Sequence, residues 1–264
     1  MTMTQDARPT LTVVVLTLNE EHCIEQCLKS AAFADQLLVI DSGSTDATVA
    51  LVQGQGAEVQ VYADWRGFGV QRTRALQHVR GDYIFFLDAD EVMTPAFAQE
   101  LKAVVATEEK AVWKIRWRIV AFGQELRYFR ATTEVERLFR RDQLQEYTGV
   151  VHEEAVLREK NVPRHSICEP LLHHTRPSVR AGLEKMTQYA ILGAAKRIEL
   201  NKKGGVIRGL AAGMVMFVRF YFFRLGFLCG GAGFLYCFFV ALEAFFRYAA
   251  LQFDREALTD EIRR

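Results

Sequence analysis

Residues 83–95, "YIFFLDADEVMTP", run five mostly apolar positions and then bring Asp88, Asp90 and Glu91 together where the run stops. A strand buried on both faces has no use for acids at its tip unless something cationic meets them there. Three earlier runs have the same form. "LTVVVLTL" (11–18) is followed by Asn19 and Glu20, "QLLVI" (36–40) by Asp41, and "EVQVYA" (58–63) by Asp64. Between them, "NEEHCIEQCLKSAAF", "DATVALVQGQG" and "GVQRTRALQHVRG" carry helix periodicity with polar openings or glycine stops. Strands alternating with helices predict an α/β fold, Rossmann-like, with a mostly parallel sheet and helices on both faces. Such sheets bind ligands at the carboxyl ends of their strands, so four successive strands deliver polar groups to one functional edge. Asp88 and Asp90, two apart at the end of an extended run, are expected to point to the same side. Hard oxygen donors so placed suit Mg²⁺ or Mn²⁺ held jointly with substrate phosphates.

Bulk properties narrow the field. The chain has 264 residues, enough for one large domain or a domain with an appendage. Lys+Arg 33 against Asp+Glu 32 leaves a net charge of +1, so no global field argues for a nucleic-acid partner. The stretch 110–141 is rich in Arg and aromatics; "AVWKIRWRIV" alternates like a strand and "VERLFRR" reads as another, a sheet edge facing an anionic substrate. Five cysteines without a CxxC pair fit a reduced compartment. "MTMTQDARPT" lacks the pattern of a cleaved leader, so the front of the chain is expected in the cytosol.

The stretches "LTLNEE", "VIDSGSTDAT", "DWRGFGVQRTRAL", "GDYIFFLDADE", "RLFRR", "VHEEAV" and "LLHHT" together resemble family 2 glycosyltransferases of the GT-A fold, and within them the bacterial lipopolysaccharide core-biosynthesis enzymes. The resemblance implies a nucleotide-sugar donor, a UDP-hexose first among them, a lipid-linked saccharide acceptor, and a divalent metal, Mg²⁺ or Mn²⁺. It implies that Thr17, Asn19 and Glu20 line the nucleotide pocket, with Asp41 on the base and Asp64 on the same edge. Gln71, Arg72 and Arg74 would open a helix toward the diphosphate. Asp90 would ligate the metal, Asp88 would hold the ribose or the metal shell, and His173 would complete the metal site. Glu153, with Glu154 beside it as the alternative, would be the base of an inverting transfer. Two rivals differ in class. A nucleotidyltransferase usually has a Gly-rich basic loop after its first strand, which "LTLNEEHC" lacks; an inactive scaffold would have no need of the DxD.

These features place a catalytic domain over residues 1–177 and a helical region over 178–264. Positions 178–203 read as an amphipathic helix ending in a basic cluster, and 225–242 carry no charge. Glycines at 226, 230, 231 and 233, with Arg219, Arg224 and Arg247 on the flanks, disfavour a simple span. Two apolar helices folded at the glycines and lying in the inner leaflet are expected, on the cytoplasmic face of a bacterial inner membrane. The alternative is a soluble pair packed on the catalytic domain or on a second copy in a homo-oligomer.

Overall fold

The computed structural model describes residues 8–148 and 154–262, which divide into two compact units. One comprises residues up to Trp117 together with Thr132–His173; the other comprises Arg118–Ala131 and the chain from His174 onward.

In the first unit β1 (Leu11–Thr17), α1 (Ile24–Ser30), β2 (Gln36–Asp41), α2 (Thr48–Gly54), β3 (Glu58–Val61), α3 (Phe68–Ala75) and β4 (Tyr83–Asp88) alternate as the sequence predicts. They are followed in chain order by β5 (Glu91–Val92), α4 (Pro95–Ala106), β6 (Val112–Ala121), β7 (Gln124–Glu125), β8 (Glu134–Arg140), β9 (Leu144–Thr148), β10 (Glu154–Leu157), β11 (Arg164–Ser166) and β12 (Leu171–His174), of which β7 falls in the second unit. The sheet runs β3-β2-β1-β4-β8-β6-β12-β5, parallel from β3 to β4, with β8 antiparallel to both β4 and β6. The parallel register sets Thr17 opposite Asp41, and Leu16 opposite Asp88. Three of the four predicted polar strand ends therefore lie side by side.

All seven residues of β1 are buried, because helices cover both faces of the sheet. Val13, Val15, Phe85 and Leu87 pack with Ile24 and Leu28 of α1 and Phe97 and Leu101 of α4. Val14, Leu16, Leu38, Ile40 and Phe86 pack with Ala75 of α3 and with Val79. The period of two along each strand thus feeds two separate cores. The end of the opening stretch is a helix start: Thr94 caps α4, its hydroxyl accepting from the Phe97 N–H at 3.1 Å, with Pro95 as first helical residue.

The second unit contains α5 (Val179–Glu199), α6 (Val206–Val218), α7 (Gly230–Phe253) and α8 (Arg255–Ile262). Ser178 caps α5 by accepting from the Ala181 N–H. The α6 helix continues as one wide π-type turn over Arg219–Phe223, and the chain reverses through Leu225, whose φ is 60°, and a short tight turn at Gly226–Cys229. Gly209 and Gly213, four apart, let α6 approach α7 closely. A Cβ on Gly209 would stand 2.8 Å from the Phe245 carbonyl oxygen, and one on Gly213 3.0 Å from that of Ala241. The stretches Val206–Phe223 (18 residues) and Gly226–Phe253 (28 residues) are each long and apolar enough to cross a membrane, two candidates where the sequence predicted the single stretch 225–242. Ile207, Met214, Val215 and Phe223 are each more than 60% exposed.

Candidate active site

The predicted donor-binding residues gather at the carboxyl ends of β1 and β2, where they mostly hold one another. Asp41 is buried, and its carboxylate accepts from the backbone N–H groups of Gly43 (2.9 Å) and Ser44 (2.8 Å), from the Thr17 hydroxyl (3.1 Å) and from the Ser44 hydroxyl. Asp41 therefore ties its own loop together at the carboxyl end of β2. Asn19, in the left-handed region at φ 56°, donates its backbone N–H to the Ser44 hydroxyl (2.8 Å) and accepts from the Thr45 N–H through its side-chain oxygen (2.8 Å). The Glu20 N–H donates to the Thr48 hydroxyl at 2.8 Å. The "LNEE" and "DSGSTDAT" segments are thus stitched into one rigid rim, with exposed Leu18 and Thr45 on its outside.

Gln71, Arg72 and Arg74 do not open a helix. The helix starts at Phe68; Gln71 completes its first turn, and Arg72 and Arg74 lie in the second. Gln71 is fully buried and donates to the Ser42 hydroxyl (3.0 Å) and the Tyr62 carbonyl (3.1 Å). Arg74 reaches Asp64 at 2.6 Å, and Arg66 flanks the same carboxylate at 3.1 Å. Hydrogen bonding from Arg74, ahead of its charge, holds the Asp64 carboxyl below the usual range. These two arginines, next to the exposed Trp65 and Phe68, give the rim its cationic side.

The acids of the opening stretch part company. Strand β4 ends at Asp88, and Ala89 and Asp90 form a turn before β5, so the two-residue alternation expected of an extended strand does not carry through. Asp88 meets arginine. Both guanidinium nitrogens of Arg137, a residue that is almost wholly buried, donate to it, one at 3.0 Å and the other closer, and Arg72 approaches at 3.3 Å. Burial alone would raise the Asp88 carboxyl, but Arg137 and then Arg72 outweigh it and hold Asp88 well below the usual carboxylate range. Glu91, also buried, accepts from the Asp88 backbone N–H (2.8 Å), the Trp117 indole N–H and Arg137 (3.1 Å). Burial pushes Glu91 upward, with Arg137 pulling the other way. Asp90 instead meets His173, Oδ2 to Nε2 at 3.1 Å, with about a quarter of each side chain open to solvent. The short pairing of β5 with β12 sets His173 opposite Glu91 and so brings it to the turn.

The fit of a divalent ion follows from these partners. Asp90 and His173 are one hard oxygen and one imidazole, half-open and adjacent, a set that suits an ion completed by substrate phosphates and water. Asp88 is paired with Arg137 and Arg72, with 37% of its side chain still exposed. Among the described residues, no group of three His, Cys, Asp or Glu side chains could hold a metal. The predicted base, Glu153, lies outside the described residues; Glu154 is exposed and opens β10, paired across the ladder with Thr148. Sequence reasoning assigned no role to Arg137 or Trp117, although the "RLFRR" segment that contains the arginine was already marked as distinctive.

The model of the family described as glycosyl transferase family 2 matches residues 12–157. A lipopolysaccharide core biosynthesis glycosyltransferase of Rhizobium meliloti is 28% identical over 255 residues, covering 94% of this chain and 93% of that protein. A low-salt glycan biosynthesis hexosyltransferase of Haloferax volcanii is 42% identical over 91 residues, 32% of this chain and 22% of the other. Among solved structures, a glucosyl-3-phosphoglycerate synthase from Mycobacterium tuberculosis, crystallised with Mn²⁺, uridine diphosphate and phosphoglyceric acid, aligns with a TM-score of 0.46 at 21% identity, covering 66% of this chain and 74% of that one.

Proposed function

As a member of glycosyl transferase family 2, to which it belongs, this chain is a glycosyltransferase, and we propose that it moves one hexose from a UDP-sugar, with inversion, to a hydroxyl of a lipid-linked saccharide at the cytoplasmic face of a bacterial inner membrane. The observation that carries this reading is the half-open Asp90–His173 pair beside the loops that close β1 and β2. Asp90 and His173 would hold a divalent ion, which when bound supplies Lewis-acid neutralisation of the charge on the departing nucleoside diphosphate. The rim of residues 17–20 and 41–48 positions the donor through shape and backbone groups, and Arg74 and Arg66 lend positive charge to its outer side. Arg137 and Arg72 keep Asp88 ionised and fixed, and so orient the turn that carries Asp90. Glu153 would take the proton from the acceptor hydroxyl as that oxygen attacks the anomeric carbon.

A lipid-linked saccharide acceptor agrees with the near full-length similarity to a lipopolysaccharide core enzyme and with the second unit. There, one side of the α6–α7 pair is covered by residues 118–131 and the chain after His174. Phe129 packs on Tyr236 and Phe220, the Arg130 N–H donates to the Arg224 carbonyl at 3.0 Å, and Glu243 pairs with both Arg176 and Arg247. The other side exposes large apolar residues along α6. A helix pair packed against protein on one side and exposing apolar residues on the other supports an interfacial seat more than a span. The reading is tested on purified protein with a panel of nucleotide sugars and Mn²⁺. Asp90→Ala is expected to lose metal-dependent donor binding, and Glu153→Gln to keep binding and lose turnover. Normal transfer by Glu153→Gln would remove the base assignment.

A further inference from the structure

A second charged site lies in the helical unit, where α5 hands over to α6. The α5 helix ends with Asn201 in the left-handed conformation (φ 54°), the Lys202 N–H donating to the Arg197 carbonyl at 2.9 Å and the Asn201 N–H to that of Ile198 at 2.9 Å. This is a Schellman closure, which fixes the direction in which the next residues leave. Two glycines then lock "KKGG" against α7. A Cβ on Gly204 would collide with the backbone around Leu251 and Gln252, and Gly205, at φ 137°, donates its N–H to the Tyr248 carbonyl at 2.9 Å. Arg255 holds the loop from the other side, donating to the Lys202 carbonyl at 3.1 Å. The two lysine side chains are left outward and exposed on a rigid turn.

Around this turn is a cavity of about 590 Å³, lined among the described residues by Lys196, Arg197, Lys202, Lys203, Arg208 and Tyr248 together with one leucine. Arg197 is pre-placed over the Tyr248 ring, 5.2 Å from its centroid, and Arg208 is held by the Gly204 carbonyl at 2.9 Å. The first turn of α6 begins here, adding the positive end of a 13-residue helix. Immediately beyond lie Ile207, Leu210 and Met214, the exposed apolar side of that helix. Arg197, Lys202, Lys203 and Arg208 stand together here with no carboxylate among the described lining residues, and cations so gathered repel one another and favour an anion. Their position where an apolar helix starts specifies one whose own neighbours are apolar.

We propose that this cavity binds the phosphate of an anionic membrane lipid, seating the start of α6 at the headgroup level. The proposal rests on the membrane-surface part of the function proposed above and adds a defined headgroup site to it. Lys202, Lys203 and Arg208 close around the phosphate oxygens while Ile207 and Leu210 enter the acyl boundary.

The test is flotation of the full-length protein with vesicles of phosphatidylcholine alone or with one fifth phosphatidylglycerol, at 0.15 M salt. The wild type is expected to bind the anionic vesicles at least tenfold more tightly. The triple variant Lys202→Gln, Lys203→Gln, Arg208→Gln should lose that preference and keep its binding to neutral vesicles. A control that removes charge elsewhere on the same unit, Arg180→Gln with Lys185→Gln, should keep the preference. An equal loss in the control would overturn the proposal in favour of diffuse surface charge. Unchanged preference in the triple variant would overturn it outright, and neutral-vesicle binding alone would do so while sparing the membrane reading. Failure to float with any vesicle would sink both. Competition by millimolar glycerol 3-phosphate as strong as that by anionic vesicles would reassign the cavity to a soluble phosphate.

Discussion

Replacing Arg137 by methionine removes the only described cation that touches both Asp88 and Glu91. The guanidinium is 3% exposed, and its loss leaves Glu91, 1% exposed, with the Asp88 N–H and the Trp117 indole but no counter-charge. Asp88 keeps Arg72 alone, at 3.3 Å. Breaking a buried pair by deleting one partner costs about 3–5 kcal/mol, because a charge is stranded rather than merely unpaired. At about 2–4 °C per kcal/mol for a domain of this size, the melting temperature should fall by roughly 6–20 °C. Arg137→Lys should land between the two, since it restores the charge but not the fork that reaches two carboxylates. Thermal unfolding of the full-length protein followed by near-UV circular dichroism reads the shift directly. A loss below about 2 °C for Arg137→Met would refute the reasoning, and so would a lysine variant less stable than the methionine one.

Other outcomes follow from the same geometry. His173→Ala should weaken Mn²⁺-dependent donor binding at least tenfold with little change in melting temperature, because its partner Asp90 is half-open and can be solvated; titration calorimetry with and without Mn²⁺ separates the two effects. Gly209→Leu should force α6 from α7, since even a Cβ there meets the Phe245 carbonyl oxygen at 2.8 Å, costing about 1–3 kcal/mol and exposing tryptic sites in the hairpin. Hydrogen bonding to Arg80 depresses the Glu58 carboxyl, and bonding to the Thr10 backbone and hydroxyl depresses Asp82. A carboxyl lower in the folded than in the unfolded chain adds stability above the unfolded pKa, near 4, and loses it as pH falls below. The double variant Glu58→Gln, Asp82→Asn should therefore show a flatter decline in melting temperature between pH 5 and pH 3 than the wild type.

The parallel half of the sheet was legible because its signals are local: β-branched runs, glycine stops and acids at the tips, each within a dozen residues. The basic turn after α5 was visible for the same reason. What escaped was built from distance in the chain. Arg137, Glu91 and Trp117 come from three strands, and nothing in "VERLFRR" says which of its arginines turns inward. The separation of Asp88 from Asp90 depends on β4 stopping one residue earlier than its apolar pattern and acid spacing suggest, which the Asp88 N–H bond to Glu91 enforces. Gln71 and Arg72 look like surface residues by type, but tertiary hydrogen bonds and aromatic rings bury them. Residues 118–131 carry no composition break to say that they pack with the C-terminal helices.

The cage around Asp41 bears on attempts to redirect such an enzyme to a new donor. Four internal bonds converge on that one carboxylate, so a library randomised at position 41 would return mostly collapsed loops and report on folding rather than on preference. Diversity is better spent on Leu18, Thr45 and Arg66, whose side chains are exposed on or beside the same rim and can vary without unmaking it.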